Sequence, residues 1–181
     1  MTRVQADRAW ARGLARAQAG LRPFAALAGL RLARNPLRDG WFWLALAAAW
    51  PVWVGLGMSP GVRLQLLPLG AGAWLAGWSL VVWQPLVEEF LFRGLLQGEL
   101  SHRWPGRHLG PITLANALAS LAFVMAHLWH QPWGWALAVG LPSLVLGGCR
   151  DRWASIWPAV MLHAYYNAGL AATAWLVRGH F

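Results

Sequence analysis

Lysine is absent from the chain, cysteine occurs once, and only six of its 181 residues are acidic. The single Cys149 excludes an internal disulfide and any Cys-based zinc spacing, and a small buried residue is its expected role. Charged residues make up 12% of the chain against 58% apolar ones, with a mean hydropathy of +0.42, which excludes an ordinary soluble domain and favours an integral-membrane one. No internal repeat, heptad register or low-complexity stretch is present, so solenoids and coiled coils are excluded too. The formal charge of +9 comes from arginine alone, and eight of the fifteen arginines precede Asp39. In a membrane chain such a bias is an orientation signal, and no nucleic-acid partner is expected.

Residues 1–40 read as a basic amphipathic segment on the membrane surface. Arg8, Arg12 and Arg16 recur every four residues, with Trp10, Leu14, Ala17 and Leu21 on the other side. A cleavable leader is not expected, because the first long apolar run starts at Trp41 and lacks a small-residue cleavage site after it. Residues 41–181 read as an all-α, polytopic transmembrane helical bundle of about five spans. The expected spans are Trp41–Gly57 with a kink at Pro51, a run within Leu64–Gly98 that begins near Pro68 and Gly70, Pro111–Trp129, Trp133–Cys149 and Trp153–Val177. Turns at Met58–Gly61 and His130–Pro132 and a basic loop at Ser101–Gly110 separate them. Placing the N-terminus inside puts Arg103, Arg107, Arg150 and Arg152 with the eight N-terminal arginines, and leaves only Arg63 and Arg178 outside. A multi-pass protein of a bacterial inner (plasma) membrane, N-terminus cytoplasmic, is therefore expected.

Within the spans the ionisable side chains are Glu88, Glu89 and Arg93 on the second, His127 on the third and His163 on the fifth. Charge in hydrocarbon costs at least about 2.5–3.5 kcal/mol per group, so such residues face a protein interior or a wet cavity. Glu89 and Arg93 lie one turn apart in the favourable order for an ion pair, while Glu88 points about 100° away. Phe123 and His127, like His163 and Asn167, share a helix face, so three helices can bring polar groups together. A histidine alone on an apolar helix is an ordinary core residue and Glu89–Arg93 an ordinary buried pair, but neither reading explains Glu88. A carboxylate beside an imidazole can deprotonate a water, and a second imidazole with a carboxamide one turn on can donate to an oxyanion. These are the parts needed to hydrolyse an amide without a covalent intermediate. Ser120 has no evident base, and Cys149 sits at a helix end. No cofactor is required, although two histidines and a glutamate also suit a divalent metal such as zinc, here without His-Glu-x-x-His spacing. A proton relay is the weaker alternative, since the polar groups form one cluster and no chain across the bilayer. Counted from Pro111, His127 falls about two turns outside the depth of Glu88.

Glu88-Glu89-Phe90-Leu91-Phe92-Arg93, Phe123-Val124-Met125-Ala126-His127 and His163-Ala164-Tyr165-Tyr166-Asn167 resemble, in order and spacing, the three motifs of the CPBP intramembrane proteases. That group includes the CAAX prenyl endopeptidases and bacterial bacteriocin-processing or self-immunity proteins. The resemblance extends from about Gln84 to Asn167 and implies a glutamic-type membrane endopeptidase. Glu88 would activate water with His127, Glu89 and Arg93 would support them, and His163 and Asn167 would form the oxyanion hole. The implied partners are the lipid bilayer and a membrane-associated protein or peptide substrate. Fewer helices precede the Glu-Glu motif than in prenyl-processing members, and the size is closer to small bacterial members paired with C-terminal sorting signals. The alternative expectation is a non-catalytic membrane immunity or partner-binding protein that keeps the cluster for structure.

Overall fold

The computed structural model describes residues 23–58 and 72–178. The surface helix expected around Arg8, Arg12 and Arg16, most of the Met58–Gly61 turn, Arg63, Pro68 and Gly70 lie outside the described residues. Pro36–Arg38 form a single 3-10 turn, after which the Asp39 carboxylate accepts the Trp41 amide at 3.0 Å and so satisfies a first-turn donor of helix α1, Gly40–Met58. Pro51 has no N–H to offer the carbonyl of Ala47. The helix is accordingly interrupted at Ala48, one turn before the proline that was expected to kink it. With a mean hydropathy of 1.4, α1 is the one helix among the described residues long and apolar enough to cross a membrane by itself. The other expected spans are helical but shorter, broken or more charged, except α6, which is unbroken over 22 residues and only less apolar.

Helix α2 is a single rod of alternating winding: Ala73–Trp78, π-helical Ser79–Trp83, α-helical Gln84–Glu89, π-helical Phe90–Leu96 and a final Gln97–Arg103. A two-residue hairpin follows, β1 (His108–Leu109) against β2 (Ile112–Thr113), turned by Gly110 at φ 61°. Helix α3, Leu114–Leu128, starts only after this hairpin, where the Thr113 hydroxyl caps the Asn116 amide at 3.0 Å. The helix therefore begins three residues later than Pro111, where the expected span started. Helices α4 (Trp133–Ala138) and α5 (Gly140–Trp153) are separated only by Val139, and α5 ends at Ala154 in the left-handed conformation. Helix α6 is Trp157–Arg178.

The second half of α2 packs on α3 and its first half on α6, while α5 closes the bundle against both α3 and α6. Phe42 and Ala45 of α1, Leu146 and Cys149 of α5, and Ala159 and Leu162 of α6 make the apolar core. Cys149 is thus the buried small residue expected of it. Much of the outer surface is apolar, with Trp50, Trp74, Trp129 and Trp133 well exposed. At one end, residues 27–31 are tied down by the helices. Arg150 donates to the carbonyls of Leu27 (2.7 Å) and Arg93 (3.2 Å), Trp157 Nε1 to Leu30 O (3.1 Å), and Ser155 Oγ to Arg31 O (2.8 Å).

Gly98 allows this closure, because a Cβ there would collide with the Leu27 carbonyl oxygen, a backbone atom that Arg150 already holds. Gly98→Ala should lower the thermal midpoint by the equivalent of about 1–3 kcal/mol. Gly134→Ala, where nothing lies within 4 Å, should be neutral or slightly stabilising. Equal midpoints for the two variants in thermal unfolding would show that residues 27–31 do not pack as described.

Candidate active site

Glu89 is fully buried and its Oε1 is shared. Arg93 Nη1 donates to it at 3.1 Å from one turn on, and His163 Nδ1 of α6 meets it at 2.8 Å. The ion pair between Glu89 and Arg93 has the geometry expected of i,i+4 spacing, and the guanidinium is also fully buried. A second of its three nitrogens, Nη2, donates to both the hydroxyl (2.8 Å) and the carbonyl (3.0 Å) of Ser143 on α5. Ser143 carries no motif signal; the only clue to it is a lone hydroxyl in an apolar run beside Pro142. Phe123 of α3 lies beneath the charges, with Arg93 Cζ 4.7 Å from its ring centre and the rings of His127 and His163 at 4.4 and 6.2 Å. This wall excludes water from the buried side of the cluster.

The two histidines are held in defined tautomers. A carbonyl can only accept, so the 2.9 Å contact of His127 Nδ1 with Phe123 O places the proton on Nδ1 and leaves Nε2 with its lone pair in the neutral ring. A carboxylate already receiving Arg93 likewise takes a hydrogen from His163 Nδ1. That turns His163 Nε2 toward Glu88, whose Oε2 lies 3.8 Å away. The separation is too long for a direct hydrogen bond, and a water can bridge it. Glu88 is partly exposed where Glu89 is sealed, with 29% and 0% side-chain exposure respectively. Glu88 is also within Coulombic range of His127. The expected cluster of Glu88, Glu89, Arg93, His127 and His163 is therefore brought together. No direct Glu88–His127 bond forms, and the nearest base to Glu88 is His163.

Asn167 is placed by a break in the winding of α2. In the π-helical stretch the Gln84 amide bonds to Ser79 O, so the Leu80 carbonyl would next receive the amide of residue 85. That residue is proline and has no N–H. The orphaned Leu80 carbonyl instead accepts Asn167 Nδ2 at 2.9 Å, which leaves the second amide hydrogen of Asn167 unused by this bond. Ser120 donates to Asn116 at 3.1 Å and lies in a structural network with Leu144 of α5. Among the described residues, no three His, Cys, Asp or Glu side chains gather as a metal site. Within the cluster itself, Glu89 Oε1 is already taken by a guanidinium and an imidazole, a donor set that opposes a cation.

Removing Arg93 strands Glu89 in the core, so Arg93→Ala should cost about 3–5 kcal/mol in thermal or denaturant unfolding, and Glu89→Gln with Arg93→Met should recover part of the loss. An Arg93→Ala variant as stable as the parent would show that the pair is not buried. Pro85→Ala supplies the missing donor to Leu80 O and should free Asn167, visible as a changed side-chain amide resonance; an unchanged resonance would contradict the placement of Asn167.

The family model described as type II CAAX prenyl endopeptidase, Rce1-like, matches residues 70–169, from the start of α2 into α6 and across every residue of the cluster. No curated protein and no solved structure matches. More than half of the chain fits that one description, and the chain belongs to the Rce1-like family of type II CAAX prenyl endopeptidases, which are membrane proteases.

Proposed function

We propose that the chain is a membrane endopeptidase that hydrolyses a peptide bond of a membrane-associated protein with water activated at Glu88. The observation that carries this reading is the 3.8 Å gap between Glu88 and His163 Nε2, beside a His127 ring whose Nε2 is left to accept. Water held there gives its proton to Glu88, assisted by His127, and attacks the carbonyl carbon. The oxyanion that forms is met by the free Asn167 amide hydrogen and by the Nε2–H of a His163 that has taken a proton from solvent before the carbonyl arrives; that proton stays on His163 through the cycle, with Glu89 as counter-charge. Glu89 and Arg93 position His163 and touch no substrate. The tetrahedral intermediate collapses as the leaving amine takes the proton back from Glu88.

The mechanism uses no metal. Glu89 and His163 are engaged with each other, and Arg93 supplies the positive charge that a cation would otherwise bring. In this reading α2, α3, α5 and α6 lie in the bilayer with α1, and the N-terminal arginines face the cytoplasm. Membership of this family supports a membrane-associated protein as the substrate.

Glu88→Gln and His127→Ala should each lower cleavage of a membrane peptide by about 10²–10⁴-fold, and Asn167→Ala by about 10²–10³-fold, with folding retained because Glu88 and His127 are not sealed in the core. Fragment yields from purified protein in detergent, measured by mass spectrometry beside total bound metal, check both parts. Parental rates in Glu88→Gln and His127→Ala would overturn the mechanism, and activity proportional to bound zinc would overturn its metal-free form.

A further inference from the structure

An open cleft of about 720 Å³ lies where the chain enters α1 and α5 ends, lined by Arg34, Asn35, Arg38, Asp39, Arg152 and Trp153. It is remote from the Glu88 cluster in composition and uses none of its residues. Three arginines and one aspartate line it, and the carboxylate is engaged. Asp39 Oδ2 accepts Arg152 Nε at 2.7 Å while its Oδ1 caps α1. The Arg152 bond holds the Asp39 carboxyl below its ordinary range, so it stays ionised against Arg152 and leaves the other two cations uncompensated. Among the described residues, neither Arg34 nor Arg38 has an ion pair or a side-chain hydrogen bond, and both are exposed.

Depth identifies what such a cleft meets. The crossing-length helix α1 begins at Gly40, one residue after the cleft, and Trp43 on its first turns is more than half exposed with its indole N–H on Leu37 O at 2.8 Å. An amphipathic ring anchored this way belongs at the headgroup level. Trp153 supplies an apolar floor, with Arg152 Cζ 5.7 Å from its ring centre. Two free planar forks beside an aromatic floor at headgroup depth match the oxygens of a phosphate with an acyl chain running along α1. We propose that this cleft binds the phosphate of an anionic phospholipid headgroup through Arg34 and Arg38, with Arg152 held beside them by Asp39.

The test titrates phosphatidylglycerol, phosphatidylcholine and free glycerol phosphate into the full-length protein in neutral detergent and counts bound molecules by native mass spectrometry. The parent and an Arg103→Gln/Arg107→Gln control, which loses equal charge on another loop, should retain phosphatidylglycerol. Arg34→Gln/Arg38→Gln should bind it about 25-fold more weakly, each lost arginine being a factor of about five. Glycerol phosphate bound with the same dependence on Arg34 and Arg38 would support the phosphate chemistry and make its source soluble. Equal binding of phosphatidylglycerol by Arg34→Gln/Arg38→Gln and the parent, or equal retention of phosphatidylcholine and phosphatidylglycerol by the parent, would overturn the proposal. Both arms are indifferent to proteolytic activity.

Discussion

One carboxylate oxygen, Glu89 Oε1, governs the arrangement of this bundle. It is buried among apolar helices, where an unpaired charge would cost several kcal/mol, and it is made tolerable by Arg93 from the next turn of its own helix and by His163 from α6. Arg93 in turn needs acceptors, and the Ser143 hydroxyl and carbonyl on α5 supply them. Three helices are thereby fixed to each other through a single charged group. A fourth, α3, contributes the Phe123 ring below the guanidinium and, from its last turn, His127.

The same constraint separates two adjacent glutamates into different roles. Glu89 spends its oxygen on structure and orients the His163 ring, so His163 offers Nε2 and not Nδ1 to the partly exposed Glu88. Neighbouring residues on a helix point about 100° apart, so one faces the core and the other the opening. In the proposed mechanism this division explains why an adjacent pair, rather than a single acid, suits water activation. The winding of α2 adds a second device, since a π turn meeting Pro85 leaves a carbonyl for Asn167 to find.

The charged part of this site was legible in the sequence because ionisable residues are few and costly in apolar runs. Glu88, Glu89, Arg93, His127 and His163 stand out from their surroundings, and four-residue spacings pair Glu89 with Arg93 and His163 with Asn167. The mainly helical character and the approximate positions of α1, α3, α5 and α6 followed from the lengths of the apolar runs. What was not legible arises from backbone geometry and from contacts distant in sequence. The π winding of α2 leaves no mark on hydropathy, Ser143 looks like any small residue on an apolar helix, and the hairpin that delays α3 consists of only four paired residues. The partnership of Glu88 with His163 in preference to His127 depends on how α6 crosses α2, which local patterning does not encode. Residues 27–31 sit on the bundle because Arg150, Ser155 and Trp157 reach back to their carbonyls over more than a hundred residues.

Histidine tautomers give the most direct test of the organising contact. In protein labelled with nitrogen-15 at histidine, with His127 and His163 assigned by single substitution, both neutral rings are expected to carry the proton on Nδ1, and Glu89→Gln is expected to shift the His163 nitrogens while leaving those of His127 in place. A His163 ring protonated at Nε2 alone, or nitrogen shifts untouched by Glu89→Gln, would contradict a site ordered by the Glu89 carboxylate.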